Sequence, residues 1–206
     1  MIVGLLRHGS TVWNEEGRMQ GRRDVPLSAR GRVEVLGWRT PVSPAGMPPA
    51  ELPWWSSPLS RAVETAELLS GIAPRCEPAL TEMDWGEWEG FDLRTLRERH
   101  GDAFARNEAA GLDFRPPGGE SPREVRDRVV RFLAASAAAH RPTIAVSHKG
   151  VLRALLSAAT GWDMTGKAPL RLRRDAIHWF TVESGGRIEL LEGNRSLATT
   201  TAADAG

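Results

Sequence analysis

Ile2-Val3-Gly4-Leu5-Leu6-Arg7-His8-Gly9-Ser10 decides the reading of this chain. The run from Ile2 to Leu6 is short, continuous and apolar, as a strand buried on both faces requires. It breaks at an Arg-His pair. Open α/β sheets place their ligand crevice just past the C-terminal ends of strands, and His8 falls there. The guanidinium of Arg7 offers planar, paired donors suited to a phosphate. A triplet this short also fits a surface loop carrying two polar residues, so the rest of the chain has to separate the two readings.

Strand and helix signals alternate from there on. Gly9 to Pro26 reads as a polar, Gly-containing loop, and Ser28 caps a helix running to about Trp38. Thr40 to Pro53 is a Pro- and Gly-rich surface loop, and Leu52 to Ser56 is a short strand. Ser57-Pro58 opens a helix to about Ser70, with Pro58 in its first turn. Residues 74–78 form a further short strand, 80–90 is irregular, and helices fall within 92–110. After the break at Arg115-Pro116-Pro117-Gly118-Gly119, Ser121-Pro122-Arg123-Glu124 is a capping box that starts a helix to about Ala139. Thr143–Ser147 is a strand, followed by a helix from about Gly150 to Thr160. Two β-rich runs, 177–183 and 187–192, are joined through Gly185-Gly186 as a hairpin.

This alternation predicts an α/β fold: a three-layer sandwich with a mostly parallel central sheet flanked by helices. One domain is expected over residues 1–196, with a lid or specificity insert around 84–120 and a disordered tail over 197–206.

Composition narrows the function. A net charge of +1 over 206 residues argues against a broad nucleic-acid footprint but leaves room for a local anion pocket. The chain holds 8 Trp and no Tyr, so no phenol is available as acid or nucleophile. A single cysteine, Cys76, excludes an internal disulfide and a cysteine metal cluster, and with no histidine nearby it reads as a structural thiol. No stretch approaches the length that spans a membrane and no leader precedes the first strand, so a cytoplasmic protein is expected.

Three more segments carry chemistry near predicted strand ends. Ser57-Pro58-Leu59-Ser60-Arg61 puts Arg61 in the first turn of a helix, whose N-terminus already favours an anion. Val146-Ser147-His148-Lys149-Gly150 puts His148 where strand passes into helix, the same kind of position as His8. Leu80 to Gly90 offers several carboxylates flanked by Trp85 and Trp88, a setting suited to proton transfer.

Together these residues resemble the histidine phosphatase superfamily, in its phosphoglycerate mutase-like branch. The resemblance runs through Arg7-His8-Gly9 with Thr11, Trp13 and Asn14; Gln20-Gly21 with Asp24, Pro26, Leu27 and Ser28; Ser57-Pro58 with Arg61, Ala62, Thr65 and Ala66; Leu80 and Glu82 with Gly86 and Trp88-Glu89-Gly90; and Ser147-His148 with Gly150. It implies that neutral His8 attacks phosphorus and carries the phosphoryl group. Arg7, Arg61 and His148 would hold the equatorial oxygens and Asn14 would add a hydrogen bond. Glu82 would protonate the leaving oxygen and then deprotonate water, with Asp84 as the runner-up acid. Gln20 and Gly21 match positions on the substrate side of the pocket. No metal or other cofactor is implied. Lys149 departs from the small residue common after the second histidine; its N–H still suits phosphate, and its side chain is expected to point to solvent, with a cation near the pocket mouth as the alternative.

The resemblance leaves hydrolysis and phosphoryl shuttling both open. Cofactor-dependent mutases look longer and carry an Arg- and Tyr-containing segment after the acid motif. Here that stretch, 91–117, is short and lacks Tyr, and its arginines read as a solvated helix face. A phosphomonoesterase acting on a small-molecule phosphate ester is therefore favoured, as monomer or homodimer, with no nucleic-acid or membrane partner. A bisphosphoglycerate-dependent mutase and a catalytically silent phosphate-binding protein are the alternatives. Trp13, Trp85 and Trp88 are expected near the pocket wall, with Trp88 assigned to the core. Neutral His8 and protonated Glu82 together call for a bell-shaped rate profile on the acidic to neutral side.

Overall fold

The computed structural model describes residues 1–139 and 141–197. The opening apolar run is β1 (Ile2–Arg7), buried from Val3 to Leu6. Then come α1 (Val12–Glu15), α2 (Ala29–Leu36), β2 (Trp54–Ser56), α3 (Ser60–Ser70), β3 (Arg75–Cys76), α4 (Leu93–Glu108), α5 (Pro122–Ser136), β4 (Thr143–Ser147), α6 (Lys149–Thr160), β5 (Ala176–Val182) and β6 (Ile188–Ser196).

All six strands form one sheet in the order β3-β2-β4-β1-β5-β6. The first four are parallel neighbours, and β5 and β6 close the sheet antiparallel. Period-2 alternation along β1 sends side chains to both faces. Val3 and Leu5 join a core with Val129 of α5 and Leu155 of α6, while Leu6 joins a second core with Val35 of α2 and Ala66 of α3. The sheet is thus covered on both sides, which is why its central strands read as unbroken apolar runs. Each fully buried Leu or Val contributes about 1.5–3 kcal/mol of transfer free energy. Among the described residues no helix is long and apolar enough to cross a membrane.

Several local expectations change. The loop after β1 holds α1, capped by Thr11 in a box with Asn14. Pro58 stands outside α3, which begins at Ser60. Its first turn is satisfied from a distance: Ser60 N and Oγ both donate to Asp24 Oδ1 at 2.8 Å. A cap 36 residues away cannot be read from local spacing. α2 stops at Leu36, two residues before Trp38, and α6 starts at Lys149 with His148 as its N-cap. α4 bends at Gly101, whose φ of 45° and ψ of −123° are non-helical and suit only a residue without Cβ. The expected tail is corrected at Leu197, which is fully buried, donates to Asp175 O at 2.9 Å and accepts from Arg39 N at 2.6 Å. Residues 198–206 lie outside the described residues. The capping box at Ser121 is present as expected, with Glu124 Oε2 accepting from Ser121 N at 2.9 Å.

Candidate active site

The strand order explains the site. β2, β4 and β1 lie side by side and parallel, so their C-terminal ends open on one crevice. His8 N donates to Ser147 O and Ser57 N donates to Val146 O, both at 3.0 Å. These two bonds bring the segments that follow β1, β2 and β4 together although they are about 50–140 residues apart in sequence. The His8 and His148 rings meet with centroids 5.1 Å apart.

His8 is 2% exposed. Its Nδ1 lies 2.6 Å from Gly9 O. A carbonyl oxygen only accepts, so Nδ1 carries the proton and Nε2 keeps its lone pair. Burial, then His148 and Arg7, push the imidazole pKa well below the usual histidine range. The loop is fixed from behind: Gly9 N donates to Thr65 Oγ1 at 3.1 Å, and Thr65 Oγ1 donates to Arg61 O at 2.7 Å. His148 is fully buried, and neither ring nitrogen bonds a protein group. Burial, then Arg61 and Arg7, keep it neutral.

Two guanidiniums flank the imidazoles. Arg61 is fully buried, with Nη1 donating to Arg23 O at 2.8 Å and Nη2 to Gly21 O at 2.9 Å. Its Nε, like Arg7 Nε, bonds no protein group. Burial, then Arg174, lower Arg7 to about 10. Buried donors without protein partners are costly, and an oxyanion is the ligand that satisfies several at once.

Glu82 reaches the same crevice from the turn after Leu80. Its Oε1 accepts from Met83 N at 2.9 Å and its Oε2 from Gly150 N at 3.2 Å. That turn is anchored to the strand end by Ser147 Oγ, which donates to Leu80 O at 2.7 Å. Arg128 of α5 clamps it from below, donating to Ala79 O at 2.6 Å, Thr81 O at 2.7 Å and Glu82 O at 3.3 Å.

These groups line a cavity of about 580 Å³. Arg7, His8, Asn14, Gln20, Gly21, Arg61, Glu82 and Lys149 all reach its wall. His148 does not; it packs against His8 beneath the surface. Asn14 Oδ1 is engaged by Arg174 Nη1 at 3.1 Å, so its amide N–H groups are what it offers the cavity. Gln20 Oε1 likewise accepts from Thr11 Oγ1 at 2.9 Å. Lys149 stands at the rim, exposed as a residue, and its ammonium pKa is lowered by partial burial, then by Arg7 and Arg153.

The other acids of the motif are occupied. Asp84 Oδ1 accepts from Gly86 N at 2.8 Å, and Glu89 Oε1 from Arg22 N at 2.7 Å. Trp85 lines the cavity with Met19, Leu93, Phe114 and Met164. Trp88 is in the core beside Phe104, as expected. Trp13 is the correction: it is not on the cavity wall and lies beside Gly90. None of the insert arginines faces the cavity; Arg97 pairs with Glu108 at 3.0 Å, Arg115 with Glu124 at 2.6 Å, and Arg99 stacks 4.5 Å from Phe91.

Arg174 is the functional-looking residue that sequence reasoning missed. It lines the cavity and donates from Nη1 to Ser10 Oγ and Asn14 Oδ1, both at 3.1 Å. It sits in Arg171-Leu172-Arg173-Arg174-Asp175, where nothing local sets it apart from Arg173. Arg153 and Met164 also line the cavity without a sequence signal.

Paired buried histidines, two guanidiniums and a carboxylate around one crevice define a phosphoryl-handling site. The histidine phosphatase superfamily (branch 1) matches residues 3–194, and the chain belongs to that family. It is 34% identical over 182 residues to the probable phosphoglycerate mutase GpmB of Salmonella paratyphi B, covering 85% of this chain and 82% of that one. Among solved structures, Bacillus stearothermophilus YhfR superposes with a TM-score of 0.80 at 28% identity, covering 95% of this chain and 98% of that one. TTHB049 from Thermus thermophilus gives 0.69 at 35% identity, covering 94% and 99%. A mycobacterial glucosyl-3-phosphoglycerate phosphatase, solved with VO3, gives 0.73 at 26% identity, covering 96% and 99%.

Proposed function

We propose that this protein is a cytoplasmic phosphomonoesterase that hydrolyses a small organic phosphate through a phosphohistidine on His8. The observation that carries the reading is the 2.6 Å contact between His8 Nδ1 and Gly9 O, which leaves Nε2 unprotonated beside Arg7 and Arg61. In the first step Nε2 attacks phosphorus, and the P–O bond to the alcohol breaks as Glu82 protonates the departing oxygen. In the second, Glu82 takes a proton from water, the oxygen attacks phosphorus, and the N–P bond breaks to release inorganic phosphate. Two in-line displacements replace one difficult one.

Arg7 and Arg61 hold the equatorial oxygens, where fixed charge is worth most in a site that excludes water. Asn14 and Gln20 add amide donors, the Gly21 carbonyl keeps Arg61 in place, and Lys149, as the first residue of α6, has a backbone N–H to offer the phosphoryl group. His148 lies one ring away from His8 and, kept neutral, takes part through hydrogen bonding. The carboxylate work of Glu82 is worth about 10²–10⁴-fold in rate. The chemistry calls for neither metal nor cofactor. The 84–120 segment supplies Trp85, Leu93 and Phe114 to the wall and serves as the specificity insert of one domain over residues 1–196.

A phosphoglycerate mutase is the second reading, supported by the 34% identity to proteins named as probable mutases. Hydrolysis is favoured because no arginine of 91–117 lines the cavity, and two of them, Arg97 and Arg115, are paired with Glu108 and Glu124. Steady-state turnover of p-nitrophenyl phosphate and 3-phosphoglycerate, with and without 2,3-bisphosphoglycerate, separates the two. Metal-independent phosphate release that disappears in His8→Ala is expected. Bisphosphate-dependent formation of 2-phosphoglycerate with little phosphate release overturns the phosphatase reading.

A further inference from the structure

Asn14 sits on α1, a helix of only four residues, and a helix that short does little to hold a side chain in one orientation. Its amide is fixed from outside. Asn14 Oδ1 accepts from Thr11 N at 3.3 Å and from Arg174 Nη1 at 3.1 Å. Neither donor can accept, so only the amide oxygen meets them, and with both of its lone pairs in use the amide cannot turn over without losing two bonds. The same Nη1 donates to Ser10 Oγ, whose own proton goes to Glu34 Oε2 at 2.8 Å. Arg174 is held there against repulsion: after burial, it is the next cause of the lowered pKa of Arg7.

Residues 171–174 lie in no helix or strand, so the aim of Arg174 comes from elsewhere. Asn194 supplies it. Its Oδ1 accepts from Arg173 N at 2.8 Å and its Nδ2 donates to Arg171 O at 2.9 Å, which pins the chain on both sides of Leu172. Asn194 lies at a bulge: between the pairs Ile177–Arg195 and Trp179–Glu192, β6 holds one residue more than β5. Its φ of 59° is left-handed, which asparagine tolerates better than most residues, and its N–H donates to Nδ1 of buried His178 at 3.1 Å. Bulges beside active sites re-aim side chains. Asn194 itself is not on the cavity wall.

We propose that Asn194 and Arg174 are positioning residues in series: Asn194 fixes the backbone of 171–173, and Arg174 then holds the Asn14 amide with its N–H groups toward the phosphoryl oxygens. The inference rests on the phosphatase reading above, in which Asn14 donates to the phosphoryl group. Arg174 acts by occupying the amide oxygen. Without it, water or a substrate hydroxyl takes that lone pair and the amide loses its single orientation.

Double-mutant cycles on kcat/KM for p-nitrophenyl phosphate test this, because residues that act through one another do not add. Arg174→Met should lower kcat/KM about tenfold in wild type, the size of one charge-assisted hydrogen bond, but by less than about twofold in Asn14→Ala. Asn194→Gly keeps the left-handed backbone open while removing both side-chain bonds. It should cost several-fold in wild type and almost nothing in Arg174→Met. Arg173→Met, which removes only a solvent ion pair with Asp175, should leave kcat/KM unchanged. Rates are taken well below each variant's Tm, so that every protein compared is folded. Losses that multiply in Asn14→Ala/Arg174→Met overturn the inference and make Arg174 an independent ligand or a distant charge. Wild-type activity in Asn194→Gly, or in Asn14→Ala, overturns it as well, and leaves the phosphatase reading standing so long as phosphate release still requires His8. If His8→Ala releases phosphate as fast as wild type, it is the phosphatase reading that fails.

Discussion

The backbone N–H of Gly150 donates to Glu82 Oε2 at 3.2 Å, joining the second histidine's helix directly to the proposed acid. The contact depends on glycine: a Cβ at position 150 would stand 2.3 Å from Glu82 Oε1. The carboxylate is the end of a flexible side chain, so it would move rather than the helix.

Gly150→Ala should therefore displace the acid while sparing the fold. For an alkyl phosphate, whose leaving oxygen needs a proton, kcat should drop by about 10- to 100-fold, part of what general acid catalysis supplies. For p-nitrophenyl phosphate, which leaves as a stable anion, the drop should be several-fold smaller. Equal losses on the two substrates would mean that the glycine serves only packing.

Arg128 acts at one remove, through the carbonyls of residues 79, 81 and 82 and its 3.1 Å pair with Glu120. Arg128→Gln should lower kcat by roughly tenfold with KM within about twofold, the signature of an interaction realised in the transition state. Arg128→Lys should fail to restore it, because an ammonium cannot reproduce the planar fork. A rise in KM alone would place Arg128 in the scaffold and not behind the acid.

Acid pH should act on the fold before it acts on the nucleophile. Burial lowers His178 to about 4, and burial keeps His8 and His148 far below the ordinary value of 6.5. Below 6.5 the unfolded chain binds protons that the folded chain refuses, so stability is complete above about 6.5 and is lost as pH falls toward 4. Tm should fall steadily across that window, less steeply in His178→Gln. Over the range where the protein remains folded, kcat/KM should show no fall centred near 6.5; such a fall would mean that His8 titrates as an exposed histidine.

Trp85 reaches the cavity wall, whereas Trp88 is in the core. Trp85→Ala should raise KM for an aryl phosphate by about three- to tenfold, the cost of losing part of an aromatic contact, and raise KM for a glycerate phosphate less. The same increase for both would assign Trp85 to general packing. Trp88→Ala should instead cost stability, about 3–5 kcal/mol for a large buried aromatic.

The chemistry of this protein is written in short local signals. An apolar run ending in Arg7-His8, a second ending in Ser147-His148, and Arg61 near the start of a helix are each set by the next few residues, because strand burial and helix starts obey local periodicity. These segments were legible, as were the α/β class and the Ser121 capping box. Gln20, Asn14 and Glu82 were legible through the family resemblance, and the structure brings all three to the crevice.

Tertiary structure alone decided the rest. Arg173 and Arg174 are neighbours of one type, yet Arg173 pairs with Asp175 in solvent and Arg174 reaches Asn14 inside the cavity. The difference lies in the partners: Asp175, two residues on, for Arg173, and Ser10 and Asn14, 164 and 160 residues away, for Arg174. Asp24 caps α3, Leu197 closes a core, and Trp13 turns from the wall that Trp85 lines. Each depends on partners tens of residues away in sequence. Sequence determines which side chains can do phosphoryl chemistry, because reactivity belongs to the residue; which of them meet depends on strand order and on burial, which are properties of the whole chain.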